Sequence, residues 1–147
     1  IQAIFGSSQI KTKFDMLHNK RYKIGISRNK FFSKFKDLKT PKIKKYSNHN
    51  FYLYTIILEK PWTKKLRNLL IKRIYDNYKI HLTYPRSITD RWKIIKKAYG
   101  KQNLKNTNFV TSNSVNLMIH PMLNLKQETF LRNAFINEYK YILKNYL

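Results

Sequence analysis

Apolar residues gather in short blocks along this chain, separated by long polar and basic stretches. The clearest block is residues 51–58, Phe-Tyr-Leu-Tyr-Thr-Ile-Ile-Leu, closed by Glu59-Lys60-Pro61. Its β-branched and aromatic content predicts a buried strand. Residues 63–78 place Leu66, Leu69, Leu70, Ile74 and Tyr78 on one face, with Lys64, Lys65, Arg67, Lys72 and Arg73 around the rest. That spacing predicts an amphipathic helix with Thr63 as its N-cap. At Ile80, Leu82 and Tyr84 the period changes to two, which predicts a second strand ending at Pro85. Residues 91–97 are expected to extend it beyond a bulge, and the polar run 100–108 suits a loop tip. The alternation from Phe109 to Ile119 then predicts a returning strand. Asn124 and Gln127 form a capping box for a helix over 125–137. Residues 139–143 read either as a last strand or as a continuation of that helix.

Residues 1–50 show few periodic apolar positions. They are expected to form a largely irregular basic extension, with one short helix near residues 30–35. Pro41 and the cluster Ser47-Asn48-His49-Asn50 close it like a linker. The domain organisation is therefore an extension, 1–50, and an α+β domain, 51–147. The order β-α-β-β-α-β predicts a ferredoxin-like split β-α-β fold, its sheet covered by two helices on one face. The middle hairpin, 80–119, is far longer than a compact domain needs, so it is expected to project.

Charge changes this picture most. The 147 residues carry 31 Lys and Arg against 7 Asp and Glu, a formal net charge of +24. So much charge of one sign repels itself, and a polyanion relieves it. Nucleic acid is the natural candidate, because bound lysines and arginines release condensed counterions from phosphates. With 42% hydrophobic and 15% aromatic residues, the chain is too apolar for a disordered tail. Abundant Lys, Asn, Ile, Tyr and Phe with scarce Gly and Pro point to an AT-rich genome. There is no Cys, so disulfides and thiolate metal sites are excluded. The longest uncharged apolar stretch, 51–58, is far short of a bilayer span, and no signal peptide is visible.

Candidate chemistry is sparse. His18, His49, His81 and His120 are scattered, with no second ligand at metal-binding spacing. The acids Asp15, Asp37, Glu59, Asp76, Asp90, Glu128 and Glu138 form no close pair for two-metal chemistry. Three glycines build no nucleotide-cradling loop. No catalytic residue, metal ligand or cofactor is nominated, and the chain is expected not to be an enzyme.

The order and spacing from residue 51 onward resemble the ribosomal protein S-ten family, the universal tenth protein of the small ribosomal subunit. The resemblance covers about two thirds of the chain. Leu58-Glu59 matches the acidic end of the family's first strand. Tyr84-Pro85 followed by Asp90-Arg91-Trp92-Lys93-Ile94-Ile95 matches its acidic-basic-aromatic triplet before an apolar strand. The polar run 100–108 leads into Phe109, and Leu117-Met118-Ile119 matches the end of the return strand. The family's Gly-Pro-apolar-Pro run shrinks here to Tyr84-Pro85, and its Ser-Pro-His reads Ala98-Tyr99-Gly100.

That resemblance implies a structural constituent of the small-subunit head in organellar translation. Its partners would be ribosomal RNA and neighbouring head proteins, with no membrane, and the location the mitochondrial matrix. The RNA-binding residues would be Arg91, Trp92, Lys93, Lys96, Lys97, Tyr99, Lys101 and Lys105 along the hairpin. Lysines would neutralise phosphates there, Arg91 would make bidentate contacts, and Trp92 or Tyr99 would stack on a base. Trp92 is alternatively a packing aromatic of the hairpin itself. Two other functions remain open: a basic accessory subunit of an organellar membrane complex, and a small organellar nucleic-acid-processing factor.

Overall fold

A computed structural model describes residues 2–85, 92–100 and 104–147. In chain order the elements are α1 (Gln2–Phe32), β1 (Leu38–Lys39), β2 (Tyr54–Leu58), α2 (Lys64–Tyr78), α3 (Lys93–Tyr99), α4 (Lys105–Asn113), β3 (Ser114–Leu117) and α5 (Leu125–Tyr146). The sheet has three antiparallel strands in the order β1-β2-β3. Leu38 pairs with Leu58, and Tyr54 pairs with Leu117.

The strongest patterns form where expected. Strand β2 alternates buried Tyr54, Ile56 and Leu58 with half-buried Thr55 and Ile57. Thr63 caps α2, accepting a hydrogen bond from the Leu66 amide. The capping box of α5 closes in both directions: the Gln127 amide donates to Asn124 Oδ1 at 2.9 Å, and the Asn124 amide donates to Gln127 Oε1 at 3.0 Å. One face of the sheet buries Tyr54, Ile56, Leu58, Val115 and Leu117 against Leu70 and Ile74 of α2 and Leu131, Phe135 and Ile142 of α5. Each such side chain taken from water contributes about 1.5–3 kcal/mol. Trp62 and Tyr139 stack at one edge of this core, 5.3 Å apart and nearly parallel.

The ferredoxin-like fold is not what forms. Residues 2–32, expected to be largely irregular, make a 31-residue helix whose inner end enters the same core through Phe32. Its buried side is hard to read because Gly25 and Arg28 occupy places where a stripe would carry apolar residues. The projecting hairpin 80–119 is absent from the described residues. Its first strand reduces to one bridge, Thr83 to Asn116. Residues 93–99 are helical, ending at Gly100, whose φ of 69° suits a residue without a Cβ and whose N–H returns to Lys96 O. Residues 105–113 are helical too, leaving only 114–117 of the expected return strand. Residues 139–143 continue α5, the helical one of the two readings.

Candidate functional site

The second face of the sheet is partly open. A shallow concavity of about 340 Å³ lies over it, walled by Tyr52, Leu53, His81, Thr83, Asn116 and the segment 117–119. Each wall is placed by an identifiable local device. Thr83 is held to β3 by two backbone hydrogen bonds, its N–H to Asn116 O at 3.3 Å and the Asn116 N–H to Thr83 O at 2.7 Å. Asn116 is held by its neighbour on β2: Thr55 Oγ1 donates to Asn116 Oδ1 at 2.7 Å. With that oxygen occupied, the carboxamide nitrogen of Asn116 is the group left to donate.

Tyr52 and Leu53 follow a residue with an uncommon backbone. Phe51 has φ of 46°, the left-handed region that costs a side-chain-bearing residue. Two contacts hold it there. Its amide donates to His49 Nδ1 at 3.0 Å, and its ring lies against Gly25 of α1. A Cβ at Gly25 would stand 2.5 Å from the Phe51 ring, so the absent side chain permits this approach.

Below the site lies a charged link between the first and last helices. Arg28 of α1, wholly buried, makes a two-pronged pair with Glu128 of α5: Nε to Oε1 at 2.9 Å and Nη2 to Oε2 at 2.7 Å. The same Nη2 donates to Met118 O at 2.7 Å, next to the concavity. Tyr54 lies beneath the guanidinium, 5.2 Å from its ring centre, and donates its hydroxyl to Asn29 Oδ1. Burial pushes the Tyr54 hydroxyl well above the usual tyrosine range, opposed by Arg28. Burial, with Asp37 adding to it, pushes Tyr139 up to about 12. A second pair joins α2 to α5, Arg73 Nε to Glu138 at 2.6 Å, with Asn77 also donating to that carboxylate.

Among the described residues, none of those expected to bind RNA lines this concavity. Trp92 precedes α3, while Lys93, Lys96, Lys97 and Tyr99 lie on it, a short helix with no buried residue. Lys105 opens α4. Arg91 and Lys101 lie outside the described residues. The residues that do build the site were missed, because their signal is long-range. Arg28 pairs across 100 positions and Thr55 across 61. The lone signal available was the scarcity of acids, which makes any buried carboxylate a candidate partner. Among the described residues, no cluster of metal-ligating side chains forms, and no helix is long and apolar enough to cross a membrane.

No protein-family model matches this sequence, and no curated protein matches it. Solved structures do. Over 92% of this chain, PseC of Helicobacter pylori, an aminotransferase involved in the biosynthesis of pseudoaminic acid, superposes with a TM-score of 0.80 at 17% identity. The fold is that of one part of an aminotransferase. TlmJ of Streptoalloteichus hindustanus, another aminotransferase, gives a TM-score of 0.80 at 16% identity over 94% of the chain. NtdA of Bacillus subtilis, solved with bound cofactor PMP, gives 0.70 at 13% over 84%. The chain spans about a third of the length of these proteins, 36%, 36% and 28% respectively.

These likenesses overturn the S-ten resemblance and the ribosomal function drawn from it. The ribosomal role, the partnership with ribosomal RNA and head proteins, and the expectation of a non-enzyme all lose their basis. The membrane-complex and nucleic-acid-processing alternatives gain no support either. The physical reason lies in the expected hairpin: residues 93–99 and 105–113, which would have formed much of a projecting ribbon, are short helices.

Proposed function

We propose that this chain forms one part of an aminotransferase that acts on a sugar. The open sheet face, with Thr83 and the Asn116 carboxamide, faces the reaction centre that the rest of the enzyme completes. The observation that carries this reading is the agreement of nearly the whole chain with about a third of solved aminotransferases, sugar aminotransferases among them.

The residues described here do not themselves fit a pyridoxamine phosphate. That group calls for a lysine at its reactive carbon and a carboxylate or arginine at the ring nitrogen. Every described lysine is exposed. The buried carboxylates Glu128 and Glu138 are already engaged by Arg28 and Arg73. The chain's own contribution is therefore to bind and orient. Asn116 offers donors, Thr83 a hydroxyl, and Tyr52 a ring face for the non-polar side of a sugar.

The test uses the intact protein that carries this chain, supplied with pyridoxamine phosphate, an isotopically labelled amino acid and a panel of keto-sugars. Label arriving on a sugar is expected, with Thr83→Val lowering kcat/KM by about tenfold for one lost hydrogen bond. Absence of transfer to any keto-sugar would overturn the reading. So would full activity in both Thr83→Val and Asn116→Ala, since the sheet face would then have no part in the reaction.

A further inference from the structure

The outer half of α1 carries an apolar stripe that continues the face its inner half buries. Ile10 precedes Arg28, and Phe14 precedes Phe32, by 18 positions, about five whole turns of α-helix. Each exposed residue therefore stands in line with a buried one. Arg28 and Phe32 are 0% exposed against the body of the protein, whereas Ile10 is 66% and Phe14 55% exposed. Leu17, on the same stripe, is half-buried. Ala3 and Ser7 extend the stripe towards the helix start, beside a shallow groove of about 500 Å³. A face buried along one stretch and apolar but open further out marks a helix that reaches past the body it packs on.

Basic residues border this stripe. By helical geometry Lys11 and Lys13 flank it on opposite sides. Lys20, Arg21 and Lys23 follow, and Asp15 is the one acid among residues 2–24. A second copy seated on the face would set these cations against their equivalents and bring another formal charge of +24. A cover that is apolar along its centre and carries carboxylates at its margins matches both the stripe and its borders.

We infer that the outer half of α1, residues 3–17, is an interface with the remaining part of the same enzyme, and that the surface it meets is apolar with carboxylates at its edges. The inference rests on the aminotransferase reading, because the chain spans about a third of the aminotransferases it matches. Ile10, Phe14 and Leu17 supply the apolar contact, Ala3 and Ser7 permit close approach, and Lys11 and Lys13 meet the acidic margins.

Amide hydrogen exchange, measured on the intact protein that carries this chain and on the 147-residue chain alone, tests this. Residues 7–20 should exchange at least about tenfold more slowly in the intact protein, with residues 25–32 protected in both. Ile10→Gln with Phe14→Gln should remove that difference, and Lys11→Glu with Lys13→Glu should reduce it by about threefold. Asn19→Gln, on the opposite side of the helix, should leave it unchanged. If the first pair also exposes residues 25–32, Phe14→Ala takes its place, with at least about a threefold reduction expected. Equal exchange in the two preparations would overturn the interface, as would a difference that every substitution on the stripe and its borders leaves intact. Slowing that grows with concentration in the chain alone would assign the face to a second copy and overturn it too. Transfer to keto-sugars, read on the same intact protein, separates the two readings. Slow exchange without transfer upholds the interface and removes the sugar chemistry, whereas transfer with fast exchange overturns the interface alone.

Discussion

Over residues 25–32, α1 is wedged into the body of the protein. Gly25 is pressed against Phe51, Arg28 is locked to Glu128, and Phe32 sits edge-on to Phe135 at 5.4 Å. Nearer its start the same helix carries Ile4, Ile10, Phe14 and Met16 in the open, the first 74% exposed. There its rings contact mainly one another along the helix, Phe14 to His18 at 6.0 Å and His18 to Tyr22 at 6.5 Å. Contacts between successive turns are worth only a few tenths of a kcal/mol each. One continuous helix thus combines a segment specified by tertiary packing with one that rests on local interactions. Continuity of hydrogen bonding says nothing about where stability resides.

The sharpest way to break this contrast is at the buried pair. Arg28→Ala takes the two-pronged partner from buried Glu128 and leaves it only Arg132, 3.6 Å away, so urea unfolding should show a loss of about 3 kcal/mol. Arg28→Met with Glu128→Leu should recover most of it, since a pair of apolar residues leaves no buried charge unmatched. Recovery would show that the pair fixes which side of α1 is buried more than it adds stability. A single substitution costing under about 1 kcal/mol would mean that the inner segment is not anchored as described.

Gly25→Ala should cost less, about 1–3 kcal/mol, because the new methyl forces the Phe51 ring to move. The same unfolding measurement checks it. An Ala at Gly25 favours helix by about 1 kcal/mol, so a stabilised variant would show that Phe51 yields freely. Phe14→Ser in the outer segment is expected to shift stability by no more than about 0.5 kcal/mol. A larger loss in the isolated chain would reveal a docking contact of the outer segment.

Much of the compact half was readable from residues alone. The β2 block, the α2 stripe with Thr63, and the Asn124–Gln127 box carry short-range signals. The first two formed within a few residues of their expected limits, and the box opens α5 where expected although the helix runs on past 137 to Tyr146. Elements with ambiguous periods were not readable. Residues 109–113 alternate well enough for a strand, yet helical bonds such as Thr111 Oγ1 to Thr107 O and Ser114 Oγ to Val110 O are what form. Residues 91–97 were expected to extend a strand beyond a bulge, yet 93–99 form a helix, and a good helix-forming run followed by Gly100 carried its own signal of a helix end. A net charge of +24 constrains solubility and association, not fold, so it could not correct a wrong topology.

The amino-acid order by itself determined where strands and helices with a strong apolar period lie, how two helices are capped, and that the surface is basic. Those properties depend on neighbours a few positions apart. Only the tertiary structure decided that α1 belongs to the core, that Arg28 finds Glu128 and Thr55 finds Asn116, and that residues 93–99 and 105–113 coil instead of pairing. The first three of these rest on contacts between distant parts of the chain. Their energies exceed local preference and leave no periodic trace in either partner.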